Sequence, residues 1–139
     1  MILVDSTVWI DFFRGAPARE CDVLADLIAH ERDIAICGVI RQEVLQGVRD
    51  DESSRRIRAL FSQAHYVALV EPDHFDHAAA LYRSMRRAGV TLRAPMDCLI
   101  AVLTMHARAT LLHHDRDFQL IAQHSALKTF ESGHYSISS

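Results

Sequence analysis

The sequence predicts an α/β fold around a parallel sheet, and two observations lead to that prediction. Short apolar runs recur along the 139-residue chain, and each is followed by a segment whose apolar residues have helical spacing. The runs lack polar alternation, as expected for strands that are covered on both faces. Because 50% of the residues are hydrophobic, the chain can bury an ordinary core, and we expect one domain over residues 1–139.

The first predicted strand ends in a carboxylate. Residues 2–4 are apolar, Asp5 follows them directly, and a helix that starts with the hydroxyl residues Ser6 and Thr7 is predicted to end at Gly15. In open α/β sheets, ligands bind at the carboxyl edge of the strands. A helix cap is a sufficient explanation for one such aspartate, so a functional role depends on other carboxylates at the same edge.

The remaining predicted elements alternate between strands and helices. In order, they are a helix from Pro17 to about Glu31, a strand at Ile34–Cys37, a helix from Val39 to about Val48, a helix after the polar break Asp50–Ser54, a strand at Tyr66–Val70, a helix from Pro72 to about Ala88, a central apolar helix at Cys98–Met105, a strand at Thr110–His113, a helix through Leu120 and Ile121, and a possible fifth strand at Lys128–Phe130.

Three further acidic residues stand at helix starts or conflict with the apolar pattern around them. Asp97 begins the central helix, and Asp115 follows the fourth strand. Glu43 falls on the apolar face of its helix, where glutamate is rarely buried unless it is paired or binds a metal. Taken singly, helix capping or an ion pair with an arginine accounts for each of them.

Taken together, these positions predict a metal site. Parallel strands with right-handed crossovers place their carboxyl ends at one edge, so the four carboxylates can converge there. Two unit charges about 4 Å apart repel by about 4 kcal/mol at an effective dielectric of about 20, and such a cluster therefore requires cations. Oxygen ligands without a nearby cysteine favour Mg²⁺, with Mn²⁺ also possible.

Composition limits the classes of protein that fit the chain. Arginine supplies fourteen of the fifteen basic residues, which suits phosphate contacts but equally fits a bias in genomic base composition. Three cysteines without a Cys-x-x-Cys pair predict a reducing compartment. Since we find neither a signal-peptide pattern nor a membrane-spanning apolar run, we expect a cytoplasmic protein without a membrane partner. His74 and His77 lack a matching pair of metal ligands and are predicted to lie at the surface.

Four segments of the chain resemble the PIN-domain ribonucleases, and specifically the VapC-type toxins of type II toxin–antitoxin pairs. They are Asp5–Asp11, the helix that contains Glu43, Ala94–Ala101 and Leu111–Phe118. The resemblance implies a three-layer α/β/α sandwich with a central, mostly parallel sheet of four to five strands. His113 departs from the family, which often has threonine before its fourth acidic residue, and a supporting hydroxyl contact is therefore in question.

The resemblance also implies an activity and a set of site residues. The expected activity is Mg²⁺-dependent cleavage of phosphodiester bonds in structured RNA such as tRNA or ribosomal RNA. The catalytic carboxylates would be Asp5, Glu43, Asp97 and Asp115. Of these, all but Glu43 would hold the metal. Thr7 and Asp117 would support the site.

The same resemblance implies two protein partners, a second copy of the chain in a homodimer and a cognate VapB-like antitoxin. The antitoxin tail would lie near the N-terminal helices and carry a basic residue into the acidic pocket. Trp9, Phe12 and Phe13 follow one another too closely to face one core, so we expect at least one of them to be partly exposed. An apolar segment of the antitoxin would cover it.

Several alternative functions stay open at this point. A metal-dependent phosphoryl-transfer enzyme or a receiver domain also places an aspartate after its first strand. A cysteine hydrolase would use Cys98, which lies in an apolar helix that is a poor setting for a thiolate. A PIN-like scaffold without catalysis, and a PIN nuclease that processes RNA without an antitoxin, are the others.

Overall fold

In the computed structural model, which describes residues 1–138, a parallel sheet lies between helices on both faces. The elements are β1 (Ile2–Val4), α1 (Ser6–Arg14), α2 (Arg19–Ala29), β2 (Ile34–Cys37), α3 (Gly38–Leu45), α4 (Asp51–Phe61), β3 (His65–Val67), α5 (Asp73–Arg87), α6 (Met96–His106), β4 (Thr110–Leu112), α7 (Arg116–Gln123) and a short 3-10 helix (Ser132–His134). This arrangement confirms the predicted three-layer α/β/α fold.

The sheet has the strand order β3-β2-β1-β4, and all its pairs are parallel. Leu3 of β1 pairs with Ala35 of β2 on one side and with Leu111 of β4 on the other. The strand that ends at Asp5 is therefore internal. Since every strand runs in the same direction, the residues that follow β1, β2 and β4 share one edge of the sheet.

The predicted fifth strand is reduced to one bridge. Thr129 forms an isolated parallel bridge with Leu111, in which Leu111 N–H donates to Lys128 O (2.9 Å) and Phe130 N–H donates to Leu111 O (2.8 Å). A strand at Lys128–Phe130 is thus wrong as predicted, because the chain turns into the 3-10 helix directly afterwards. The bridge still sets the direction in which the C-terminal segment passes β4.

The core is built around α6, whose residues 98–104 are all buried. Trp9 and Phe61, which are also buried, pack edge to face with ring centroids 5.1 Å apart. Helix α1 ends as predicted at Gly15, whose φ of 71° lies in the left-handed region that glycine adopts easily. Within residues 1–138, no helix is long and apolar enough to cross a membrane.

One predicted surface residue is buried. His74 is only 6% exposed, and its Nδ1 accepts a hydrogen bond of 2.9 Å from the Val70 N–H. Its ring also packs at 4.9 Å from that of His106 at the end of α6. The surface prediction is wrong for His74 because the chain entering α5 needs an acceptor for this amide, while His77 is exposed as predicted.

Candidate active site at the carboxyl edge of the sheet

Four different elements bring the predicted carboxylates to one edge of the sheet. Asp5 directly follows β1, and Glu43 lies in α3, which begins immediately after β2. Asp97 is in the first turn of α6, and Asp115 is the N-cap residue of α7, just beyond β4. The apolar strands and the buried α6 fix these backbone positions, so the placement of the acids depends on the core.

Asp5 is buried and held by two hydrogen bonds. Asp5 is only 3% exposed, and its Oδ2 accepts a hydrogen bond of 2.7 Å from Thr7 Oγ1. Its backbone N–H donates to Leu112 O at 3.0 Å, which ties it to β4. Burial raises the pKa of Asp5, and the Thr7 hydroxyl opposes this shift. Thr7, predicted as a supporting residue, therefore contacts the first carboxylate directly.

Glu43 has an oxygen without a partner. Its Oε1 is buried and makes no hydrogen bond to any atom of residues 1–138. Burial raises its pKa, the charge of Asp5 adds to the effect, and the Ser6 hydroxyl opposes it in part. The arginine two positions earlier, Arg41, instead lies over the ring of Phe61 at 5.9 Å. Within the part of the chain that is described, no ion pair accounts for Glu43.

The pKa of Asp97 reflects the other acidic residues at this edge of the sheet. Its pKa is raised to about 7, first by burial and then by the charges of Asp5, Asp115, Asp117 and Glu43. All the acids that the sequence singled out therefore act on this one carboxyl group. A group in this environment at neutral pH carries an unfavourable charge that a cation would relieve.

Asp115 and Asp117 contact each other and Arg93. Asp115 Oδ1 accepts from Asp117 N–H at 2.8 Å, and Asp117 Oδ2 accepts from Arg93 N–H at 2.9 Å. The Arg93 guanidinium lies 3.5 Å from Asp115 Oδ1 and 3.7 Å from Asp117 Oδ2. Arg93 was not predicted from the sequence. Its place in the loop before α6, at the edge where the acids meet, is the one signal that could have indicated it.

His113, at a position where the family often has threonine, binds the backbone amide of Asp115. His113 is buried, and its Nδ1 accepts a hydrogen bond of 3.0 Å from Asp115 N–H. A ring nitrogen thus accepts a hydrogen bond at the position where the family often has a hydroxyl. Its neighbour His114 places Nε2 3.1 Å from Asp11 Oδ2 of α1. The loop between β4 and α7 is therefore fixed on both sides.

The residues of the cluster fit a hydrated divalent cation. The donor set consists of the carboxylate oxygens of Asp5, Asp97 and Asp115, the ligands that Mg²⁺ and Mn²⁺ prefer, and the unpartnered Glu43 Oε1 can accept from a water on such an ion. Among residues 1–138, no group of three or more His, Cys, Asp or Glu side chains has the arrangement needed to hold an ion by itself. Mg²⁺ does not need such a cage, because it keeps several waters and completes its coordination with substrate phosphate.

The structure argues against Cys98 as a nucleophile. The residue is fully buried in α6, and burial, followed by the charge of Asp97, raises the pKa of its thiol to about 11. A thiol in this setting stays protonated at neutral pH, and the thiolate is the reactive form. The chemistry available at this edge is that of the carboxylates.

The chain is similar to known proteins in both sequence and fold. The family model of the PIN domain matches residues 2–123. Ribonuclease VapC11 of Mycobacterium tuberculosis is 35% identical over 124 residues, which cover 88% of this chain and 92% of the relative. Ribonuclease VapC19 of the same species is 34% identical over 114 residues, covering 81% and 86% of the two chains.

Solved structures with low sequence identity have the same fold. The VapBC2 structure from Rickettsia felis, bound to a DNA fragment from its promoter, superposes with a TM-score of 0.70 at 16% identity and covers 94% of this chain and 98% of that one. FitAcB from Neisseria gonorrhoeae gives 0.69 at 18% identity, with 97% and 100% covered. The chain therefore belongs to the PIN-domain family and, within it, to the VapC-type ribonucleases.

Proposed function

We propose that this chain is the toxin of a VapBC-type pair and hydrolyses phosphodiester bonds in structured RNA such as tRNA or ribosomal RNA, with Mg²⁺ or Mn²⁺ as cofactor. The observation that carries the proposal is the position of Asp97, on which four other acidic residues act. A cluster of carboxylates with raised pKa values at the ligand-binding edge of an α/β sheet is typical of a functional site.

Three carboxylates would hold the metal ion, namely Asp5, Asp97 and Asp115. The chemistry that a bound ion would supply is polarisation of the phosphate and activation of a water for in-line attack. Thr7 fixes one of these ligands through its 2.7 Å hydrogen bond to Asp5. His113 fixes another by accepting from the Asp115 amide at 3.0 Å.

Glu43 and Arg93 have separate tasks in this site. Because Glu43 Oε1 has no partner within residues 1–138, it is free to accept a hydrogen bond from the attacking water and orient it. Arg93, whose side chain is 75% exposed, neutralises part of the charge of Asp115 and Asp117 and remains accessible to an RNA phosphate.

The metal dependence is tested by RNA cleavage with purified protein. We expect cleavage of total tRNA or ribosomal RNA in Mg²⁺ or Mn²⁺ and none in excess EDTA. Asp5→Asn should abolish cleavage, while Asp51→Asn, which changes an exposed acid at the start of α4, should leave it intact. Full activity in excess chelator would remove the metal mechanism.

A groove beside α1 suits the antitoxin. Phe13 is 37% exposed, and its ring stacks on Trp9 with centroids 5.7 Å apart. It contributes to a cavity of about 690 Å³, whose lining residues are Phe13, Arg14, Gly47, Val48, Arg49, Asp50, Ser53, Arg56, Ile57 and Leu60. The lining combines apolar side chains with three arginines and one aspartate. We infer that an apolar segment of a VapB-like antitoxin covers Phe13, and that the toxin forms a homodimer.

The antitoxin groove is tested by a charged substitution. Phe13→Asp should weaken binding of the antitoxin, taken as the small DNA-binding protein encoded beside this chain, more than it weakens RNA cleavage. Phe75→Asp is the matched control, because Phe75 is an exposed phenylalanine on the distant helix α5. Equal loss of binding and cleavage in Phe13→Asp would mean that this ring belongs to the core. Light scattering of the toxin alone measures its oligomeric state.

A further inference from the structure

A cavity of about 410 Å³ opens at the same edge of the sheet as the carboxylates. The parallel bridge between Leu111 and Thr129 makes the C-terminal segment run beside β4 in the same direction. Residues 130–133 therefore emerge next to His113 and His114, which follow β4, and the two segments form opposite walls. The cavity volume falls within the range of small-molecule sites in proteins, about 300 to 1,000 Å³.

The C-terminal wall is fastened to α2. Asp26, which is only 6% exposed, accepts hydrogen bonds from Tyr135 Oη (2.6 Å) and from Ser138 N–H (3.0 Å). Arg19 Nε donates to Ser132 O at 3.1 Å and so holds the preceding 3-10 helix. A wall fixed by a buried acid and an arginine is sufficiently ordered to define a binding pocket.

The lining suits a nucleobase better than a phosphate. It consists of Glu20, His113, His114, Gln119, Ala122, Gln123, Thr129, Phe130, Glu131, Ser132 and Gly133. Neither lysine nor arginine is among these residues of the described chain, so a phosphate would find no strong cationic partner. Amides, hydroxyls and two carboxylates can instead pair with the edge of a base, and the half-buried Phe130 ring or a histidine ring offers a face for stacking.

The carboxylates select among the four bases. Glu20 and Glu131 can only accept hydrogen bonds when ionised. Guanine presents a ring N–H and an exocyclic amine side by side on its pairing edge, and one carboxylate can accept from both. A base with these two adjacent donors therefore fits the lining better than a base whose edge presents acceptors at the same positions.

The cavity and the catalytic cluster share one wall. His113 lines the cavity, while its Nδ1 accepts from the amide of the catalytic Asp115 at 3.0 Å. His114, also in the lining, reaches Asp11 of α1. A nucleotide with its base in the cavity would therefore lie next to the catalytic acids.

We propose that this cavity binds one unpaired base of the RNA next to the scissile phosphate, with a preference for guanine. The inference rests on the proposed ribonuclease function. The PIN family model matches residues 2–123, so the wall formed by residues 129–133 lies beyond the matched region.

The base preference is tested with fluorophore-quencher RNA oligonucleotides in Mg²⁺, in which each position around the cut carries each of the four bases in turn. We expect guanine at one flanking position to raise kcat/KM by about tenfold or more, the effect of one good bidentate base contact. Glu131→Gln should reduce that preference to about twofold, because the amide that replaces the carboxylate cannot accept from both guanine donors. Gln63→Ala, an exposed amide outside the cavity, is the matched control.

A binding measurement separates this inference from the proposed function. Wild-type protein in EDTA is titrated with GMP, AMP, CMP and UMP while the NMR signals of His114 and Phe130 are followed. GMP should shift both signals and bind more weakly to Glu131→Gln. Cleavage with equal rates for all bases and no nucleotide shifts would overturn the base pocket and leave the ribonuclease intact. GMP binding without any RNA cleavage would support the pocket and contradict the proposed function.

Discussion

Asp26 on α2 is buried and Asp97 on α6 is partly buried, and their pKa values move in opposite directions. The hydrogen bond from Tyr135 lowers the pKa of Asp26, and the Ser138 amide and His30 add to this effect against the cost of burial. Among residues 1–138, Asp97 has no comparable hydrogen-bond donor, and burial together with four acidic neighbours raises its pKa to about 7. The surroundings of Asp26 stabilise its charged form, and those of Asp97 destabilise its charged form.

This contrast separates a structural acid from a functional one. A buried acid whose oxygens are occupied by donors holds two parts of the chain together, as Asp26 holds the C-terminal segment to α2. A buried acid surrounded by other acids is costly to the fold and is kept for what it binds. Burial of a carboxylate therefore carries no functional meaning until its partners are known.

The largest difference between the two acids is expected in catalysis. Asp97→Asn should lower the rate of RNA cleavage in Mg²⁺ about a thousandfold or more, which is about 4 kcal/mol of transition-state stabilisation. Asp26→Asn should retain most of the rate at a temperature where it stays folded, because Asp26 lies outside the carboxylate cluster. Initial rates on the same RNA measure both effects, with circular dichroism as the check on folding. If both variants lost a comparable part of the cleavage rate, Asp97 would not be a functional acid in contrast to Asp26.

The sequence predicts the acids of the site better than their surroundings. Asp5 and Asp115 follow apolar strands, and Glu43 breaks an apolar helical face, so local pattern and sheet topology suffice for them. Asp26 could not be interpreted in this way, because its partner Tyr135 lies 109 residues further on in a polar segment. Contacts that depend on such long-range packing leave no local pattern in the sequence.

Arg93 and His74 illustrate the same limit. Arg93 pairs with two acids only because its loop crosses the edge of the sheet before α6. His74 has the spacing of a surface residue, and its burial follows from the need of the Val70 amide for an acceptor. Helix ends were also predicted only to within a few residues, since the helix expected from Pro17 begins at Arg19 and the one expected to reach Val48 ends at Leu45.

The next difference is in stability, where Asp26 should matter most. Asp26→Asn should lower the Tm by several degrees at pH 7, because Tyr135 and Ser138 lose a charged acceptor. The folded pKa of Asp26 is lowered, so its stabilisation is present above the unfolded pKa of about 4 and is lost as pH falls below it. The Tm difference between wild type and variant should therefore shrink below about pH 4.

Tyr135→Phe is the companion variant, since it removes the 2.6 Å hydrogen bond and keeps the aromatic ring. It should lower the Tm by less than Asp26→Asn does, because the Ser138 amide still donates to the carboxylate. A Tm difference that stays constant from pH 3 to pH 7 would show that the charge of Asp26 contributes nothing to folding.

The smallest effect, and the one of opposite sign, is expected for Asp97 in metal-free protein. Its folded pKa of about 7 lies above the unfolded value of about 4, so the folded state binds a proton that the unfolded state has released between these limits. The stability of metal-free wild type should therefore fall as pH rises from 4 to 7. Asp97→Asn removes this charge and should melt higher at pH 8, by an amount corresponding to about 1 to 3 kcal/mol.

The effect of Mg²⁺ on the Tm of wild type and of Asp97→Asn shows whether Asp97 binds a metal. The favourable charge at the start of α6 is also lost in the variant and subtracts up to about 1 kcal/mol, so the gain is modest and should vanish near pH 5. Mg²⁺ should raise the Tm of wild type by mass action and that of the variant much less. A structural ion pair predicts the reverse, because the partner left behind would be uncompensated at a cost of about 3 to 5 kcal/mol. Thermal melts of both proteins in EDTA and in Mg²⁺ distinguish a metal ligand from a member of a structural ion pair. If the variant melts well below wild type in EDTA and neither protein responds to Mg²⁺, Asp97 is a structural acid, as Asp26 is.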